Sequence, residues 1–70
     1  MNDYRPGNYQ GCTYLLSAVR VFDGEGWHLF IQDIILPNGK AREEIEFDKI
    51  FDTKVEAFDF GDSHMESLIV

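Results

Sequence analysis

The chain has 70 residues, which is the length of one small domain with a single core. Its 13 acidic residues outnumber its six basic ones and give a net charge of −7, a field that repels nucleic-acid phosphates and anionic membrane surfaces. The sequence therefore predicts no direct nucleic-acid binding and no membrane role, while a hydrophobic fraction of 44% argues against disorder.

The number of cysteines and the first eight residues indicate the cellular compartment in which the protein is found. Cys12 is the only cysteine, so the chain cannot form an internal disulfide bond. Residues 1–8 contain no apolar run of the kind found in signal peptides. Together these features predict a cytoplasmic protein.

The first half of the chain predicts a loose lead-in followed by a strand. Residues 1–8 contain the turn signal Pro6-Gly7-Asn8. Residues 9–22 are rich in β-forming side chains and are predicted to form the first strand. Asp23-Gly24-Glu25-Gly26 then has the length and residue types of a hairpin connection.

Two further strands follow. Residues 27–36 form the second predicted strand, and Pro37-Asn38-Gly39-Lys40 is a hairpin turn in which Asn-Gly tolerates positive φ angles. The third is predicted over residues 41–48, where Ile45 and Phe47 alternate with glutamates, so that one face is buried and the other wet.

The hydrophobic period then changes to that of a helix, predicted over residues 54–68. Thr53 and Glu56 form a capping-box pattern at its start. Gly61 falls on the apolar stripe, where a glycine costs about 1 kcal/mol relative to alanine. Either the helix approaches the sheet closely at Gly61, or it breaks there.

The sequence thus predicts one α+β domain over residues 1–70, with a three-stranded antiparallel sheet packed against one C-terminal helix. Phe51-Asp52-Thr53, followed by Glu56-Ala57 and Gly61, resembles a group of small uncharacterised bacterial proteins. This resemblance implies a β-β-β-α layout and no particular activity. The layout is also similar to that of the small DNA-binding domains of some integrases and transcription factors, from which this acidic chain departs in charge.

Few residues could carry chemistry. Cys12, His28 and His64 are far apart in the sequence, and no spacing suggests a nucleophile with a base in reach. Asp62-Ser63-His64 offers at most two metal ligands, whereas zinc sites use three or four. We therefore expect no enzyme, no metal and no cofactor.

The acidic residues admit two interpretations. They can form a solvated surface that keeps a small protein soluble. Alternatively, they form a negative patch that binds a basic protein, as an inhibitor or antitoxin-like protein does when it neutralises a nucleic-acid-binding partner. The predicted patch comprises Glu43, Glu44, Glu46, Asp59, Asp62 and Glu66.

The leading hypothesis comes from the apolar residues instead. The first two predicted strands are apolar on both faces, and one helix can cover only one face of a sheet. Either a partner covers the second face, or residues 4–9 fold across it. We expect a non-enzymatic protein-interaction domain that self-associates as a homodimer. The predicted interface comprises Leu15, Trp27, Leu29, Ile31 and Phe60.

Overall fold

A computed structural model describes residues 2–21 and 24–69. The fold is α+β, with an antiparallel sheet and one C-terminal helix. Its elements are β1 (Asn2–Tyr9), β2 (Cys12–Arg20), β3 (Trp27–Ile35), β4 (Ala41–Arg42), β5 (Ile45–Phe51) and α1 (Lys54–Ile69). Across the sheet, β1 pairs with β2 and β2 pairs with β3, while β3 pairs on its other side with both β4 and β5. The class matches the prediction, and the expected strand count of three was too low.

The N-terminal residues form an edge strand. β1 pairs antiparallel with β2 from Asn2↔Val19 to Tyr9↔Cys12. Gln10 and Gly11 connect the two strands with φ angles of 49° and 85°, the two positive values that a type I′ hairpin requires. The predicted loose lead-in and the predicted strand start at Tyr9 were therefore wrong, because Gln-Gly takes the role usually signalled by Asn-Gly.

The second hairpin lies where the sequence predicted it. β2 ends at Arg20 and β3 begins at Trp27, and the Val21 backbone N–H donates to the Gly26 carbonyl at 3.2 Å. Phe22 and Asp23, which were assigned to the end of the first strand and to the connection, lie outside the described residues.

A β-bulge at Asp33 changes the faces of β3. Asp33 has a φ of 53°, and β3 contains one more residue than β2 between the pairs Leu15↔Gln32 and Thr13↔Ile35. As a result Ile34 joins Leu29 and Ile31 in the core, and Ile35 is exposed. Strict alternation along the second predicted strand groups Ile35 with Ile31 and Leu29, and so gives the reverse for these two isoleucines.

The third predicted strand is divided into β4 and β5, and it continues to Phe51 rather than ending at Asp48. The preceding loop contains a turn in which Gly39 N–H donates to the Leu36 carbonyl at 2.8 Å. Gly39 alone of the Asn-Gly pair has a positive φ, of 86°, which is the pattern of a three-residue loop. Ile45 and Phe47 pack against the core while Glu44 and Glu46 are exposed, as the alternation predicted.

The helix is capped as predicted and continuous through Gly61. The Glu56 backbone N–H donates to the Thr53 hydroxyl oxygen at 3.1 Å. This bond satisfies one of the backbone N–H groups of the first turn that have no partner within the helix. A Cβ placed on Gly61 would lie 2.7 Å from Leu16 Cδ2. Glycine at this position therefore permits close approach of helix to sheet, and the alternative of a broken helix is excluded.

Candidate protein-binding surface

One face of the sheet, which we call the covered face, carries the core beneath α1. Its fully buried side chains include Leu16 and Ile34, and Met65 packs on them from the helix. Trp27, Leu29 and Ile31 also lie on the covered face and are at most 8% exposed. These three residues were predicted to form an interface, but the helix already occupies the surface that they present.

Polar contacts tie the helix to the first hairpin. The Tyr14 hydroxyl donates to Asp62 Oδ1 at 2.7 Å, and Arg5 forms an ion pair with Asp62. Tyr14 also lies over Gly7, where an added Cβ would come within 2.1 Å of the ring, so its aromatic face covers a strand glycine. Burial, the hydrogen bond to Asp62 and the negative charges of Asp62 and Glu66 raise the pKa of the Tyr14 hydroxyl above its usual range.

Cations surround the rim of the covered face. Arg20 and Lys54 both lie over the Trp27 ring, at 5.3 and 5.4 Å from its centroid, and Lys54 also pairs with Asp3. Lys49 lies 5.1 Å from the centroid of the Phe51 ring. Most of the basic side chains therefore interact with groups on the helix side of the sheet.

The opposite surface, which we call the open face, is covered by no helix among the described residues. Strand register assigns fifteen residues to it in four cross-strand rows. The rows are Asn2, Val19, His28 and Ile50; Tyr4, Ser17, Phe30 and Glu46; Pro6, Leu15 and Gln32; and Asn8, Thr13, Ile35 and Ala41. The first predicted strand was therefore correctly interpreted as apolar on both faces, and residues 4–9 extend the sheet rather than folding across it.

The open face is uneven, because some of its side chains project into solvent and others are buried. Tyr4, Ile35 and Ile50 are 54%, 39% and 45% exposed. Ser17, in the same row as Tyr4 and Phe30, is only 3% exposed. A small side chain thus lies between two aromatic neighbours, and the centre of the open face is lower than its edges.

Two ionisable groups face each other near the β5 side of the open face. His28 Nε2 lies 3.5 Å from Glu46 Oε2 but lacks the alignment of a hydrogen bond, and no other partner is present for it among the described residues. The His28 ring also packs on Phe30, with 4.7 Å between ring centroids. His28 is thus a half-buried member of the open face.

Phe60 contributes to packing within the domain. Its ring makes an edge contact with Phe47 at 5.2 Å and a tilted contact with Phe51 at 5.1 Å, measured between centroids. It remains 36% exposed at the edge between α1 and β5. Leu15 is therefore the one residue of the predicted interface that belongs to the open face.

The acidic residues do not share one surface. Asp59 and Asp62 interact with Arg5 on β1, at one edge of the sheet. Glu46 lies on β5 at the other edge, on the open face, and Glu43 and Glu44 are in the connection before β5. The predicted acidic patch is therefore divided between opposite edges, with Asp62 already paired.

The candidate catalytic side chains are also separated. Cys12 is fully buried on the covered face, whereas His28 is on the open face at the far end of the sheet. Register places Cys12 seven residues along β2 from Val19, the partner of His28, which is about 23 Å of strand. His64 packs edge-on against the Phe47 ring. Among the described residues, no three histidine, cysteine or acidic side chains come together as a metal site.

A shallow depression lies where the C-terminal part of α1 meets the loop after β3. It has a volume of about 410 Å³ and is lined by Leu36, Pro37, Asn38, Arg42, Met65 and Leu68. It opens widely to solvent and holds a single charged group, Arg42. Such a depression is a weaker candidate than the open face, because ligand sites are usually enclosed clefts with convergent polar groups.

Comparison with known proteins gives no relative: no family model, no curated protein and no solved structure matches the chain. The resemblance to small bacterial proteins of β-β-β-α layout stays a prediction. Within residues 2–21 and 24–69, no helix has both the length and the apolar character to cross a membrane. The open face is thus identified by geometry alone. Sequence reasoning missed Tyr4 because it fell in the predicted lead-in, and Ile50 because it followed the end of the last predicted strand.

Proposed function

We propose that this chain is a non-enzymatic, cytoplasmic protein-interaction domain that binds another polypeptide through its open face. The observation that supports it is a sheet surface with no cover from the described residues, on which eight of the fifteen side chains are aliphatic or aromatic. Soluble monomers rarely leave contiguous apolar patches of more than a few hundred Å² in contact with water, and larger ones usually mark interaction sites.

The composition of the open face supports binding to protein rather than to nucleic acid. Aromatic and aliphatic side chains such as Tyr4, Leu15 and Phe30 are typical of the centre of protein interfaces. None of the fifteen residues is lysine or arginine, the side chains that bind phosphates. Cys12, as a single buried thiol, is compatible with a reducing compartment.

The proposal is tested by affinity capture from an extract of the native host, with three matched baits. The wild-type domain and Val55→Asp, which places the same charge on an exposed helix position, should capture the same protein. Leu15→Asp should lose it, because a carboxylate would be desolvated within the interface. Circular dichroism of each bait confirms that it is folded. Equal capture by a folded Leu15→Asp bait would contradict the proposal.

Salt distinguishes this function from the alternative of an acidic inhibitor of a basic partner. Charge-driven complexes weaken steeply as ionic strength rises, whereas apolar contacts do not. We expect captured protein to remain bound at about 0.5 M NaCl, where the Debye length is only a few ångströms. Complete release at that concentration would favour the acidic inhibitor.

A further inference from the structure

The charged side chains of the open face are few and lie on its β5 side. Charged residues make up 27% of the sequence, and the net charge is −7. Of the fifteen residues that register assigns to the open face, Glu46 alone carries a formal charge when His28 is neutral. Alternation along β5 places the exposed Asp48, between Glu46 and Ile50, at the same side. Most of the field of the chain therefore arises from other surfaces.

The free edges of the sheet are poorly suited to association. In a two-residue hairpin the residues beside the turn form a hydrogen-bonded pair, and such pairs alternate with non-bonded ones along the strands. Counting from Tyr9↔Cys12, Pro6↔Leu15 is a non-bonded pair, so the Pro6 nitrogen faces the free edge and offers no N–H. At the other edge, β5 contains Glu46, Asp48 and Lys49, and charged side chains discourage edge pairing.

From these observations we infer that the occupant of the open face is a second copy of this chain, bound face to face about a two-fold axis. This inference rests on the proposed function and names its partner. With the two-fold axis parallel to the strands, the β5 side of each face meets the uncharged β1 side of the other, so Glu46 does not oppose its own copy. Most of the other acidic side chains remain on the outer surfaces. The raised Tyr4 and Ile50 near the edges and the low Ser17 at the centre give each face both projections and a recess, as a self-complementary contact needs.

The area of the open face sets the strength of the dimer. Four strands about 4.8 Å apart and about seven residues long cover roughly 450 Å² per copy. Stable interfaces bury about 800 Å² on each partner, so the dimer is small for its class. We expect a dissociation constant in the micromolar range and rapid exchange between copies.

Salt has a distinctive effect on such a dimer. Each copy carries a charge of −7, so association brings together two strongly negative molecules. Screening of this repulsion should strengthen the dimer as ionic strength rises, by a few fold between about 50 and 500 mM NaCl. A complex with a basic partner would respond in the opposite direction.

Analytical ultracentrifugation of the purified chain, from about 1 to 500 µM at both salt concentrations, tests the inference. The average mass should rise from monomer to dimer with concentration, and more steeply at the higher salt. Leu15→Asp and Tyr4→Lys should each weaken the dimer at least about tenfold, since both bury a charge in the contact. Val55→Asp should match the wild type at the higher salt. Leu15→Asp makes the net charge more negative, whereas Tyr4→Lys makes it less negative. If both variants weaken the dimer, a change in the overall charge repulsion between copies cannot be the cause.

Two outcomes would overturn the inference. One is a monomer at every concentration. The other is a dimer of unchanged strength in both folded open-face variants, which would place the contact elsewhere. If the chain is monomeric but Leu15→Asp still abolishes capture of a different protein, the proposed function stands and only its occupant is wrong. If capture is also unaffected, the open face is not a binding surface.

Discussion

The two faces of the sheet differ in what they contact, although the same strands supply both. Leu15 and Leu16 are consecutive in β2, yet Leu16 is fully buried beneath Gly61 while Leu15 is half-buried on the open face. The covered face is also surrounded by charged side chains that pair with one another or lie over aromatic rings. The open face has one contact between ionisable groups, His28 and Glu46, at its side and no covering helix among the described residues.

The covered face therefore stabilises the fold, and the open face is available for binding. A domain of this length buries about 60% of its unfolded surface, so its stability depends on a few well-packed side chains. Those side chains lie under the helix. The apolar side chains of the open face add little to the monomer, and their burial is left for a partner.

Truncating Leu15 and Leu16 in turn tests whether the covered face alone stabilises the monomer. Leu16→Ala should lower the free energy of unfolding by about 2–5 kcal/mol, because it removes buried methyl groups and leaves a cavity beneath the helix. Leu15→Ala should lower it by about 1 kcal/mol or less in dilute solution. Urea denaturation monitored by Trp27 fluorescence measures both values. Equal losses would mean that the two faces contribute alike to the monomer.

The closeness of helix and sheet can be tested at Gly61. Gly61→Ala should lower stability by about 1 kcal/mol, because strain against Leu16 outweighs the gain of roughly 1 kcal/mol in helix propensity. In the Leu16→Ala background the obstructing methyl groups are gone, and the same change should stabilise the domain instead.

A double-mutant cycle in urea measures this reversal of sign. Ser63→Ala, an exposed change on the same helix, serves as the control and should be additive with Leu16→Ala. Additivity of Gly61→Ala with Leu16→Ala would show that the two residues are not in contact.

Much of this fold could be predicted from local pattern. The helix, the Thr53 cap and the alternation of Ile45 and Phe47 all follow from periodicity and residue type, and all are present. At Gly61 the pattern left close approach and a broken helix as alternatives, and the structure shows close approach. These features depend on near neighbours in the chain, which is the range over which propensity and patterning act.

The errors arose where one residue reverses a pattern or a strand lacks the usual signals. Asp33 adopts a positive φ without glycine, so the faces of Ile34 and Ile35 were exchanged. β1 contains Pro6 and Gly7, which are typical of turns, yet it forms an edge strand because Pro6 needs no bond at the free edge and the Tyr14 ring covers Gly7. Trp27, Leu29 and Ile31 do share one face, but alternation alone does not tell which face the helix covers, so these three core residues were placed in the interface.

The smallest expected change in the free energy of unfolding comes from removing the Tyr14 hydroxyl, which hydrogen-bonds the sheet to the helix. Its hydrogen bond to Asp62 should contribute about 1 kcal/mol, below the usual value for a charged acceptor because Asp62 is partly solvated and paired with Arg5. Tyr14→Phe should lower stability by that amount at neutral pH. Tyr4→Phe, on the exposed edge of the open face, should leave it unchanged.

The pH dependence gives a sharper result than the single value. The folded state raises the pKa of Tyr14, so the unfolded chain loses this proton first, at about pH 10. Above that pH the unfolded state binds fewer protons than the folded state, and stability must fall as pH rises. Wild type and Tyr4→Phe should share this alkaline decline in thermal unfolding, and in Tyr14→Phe it should be smaller. A decline of the same size in all three would show that the hydroxyl is no better protected on the covered face than on the open one.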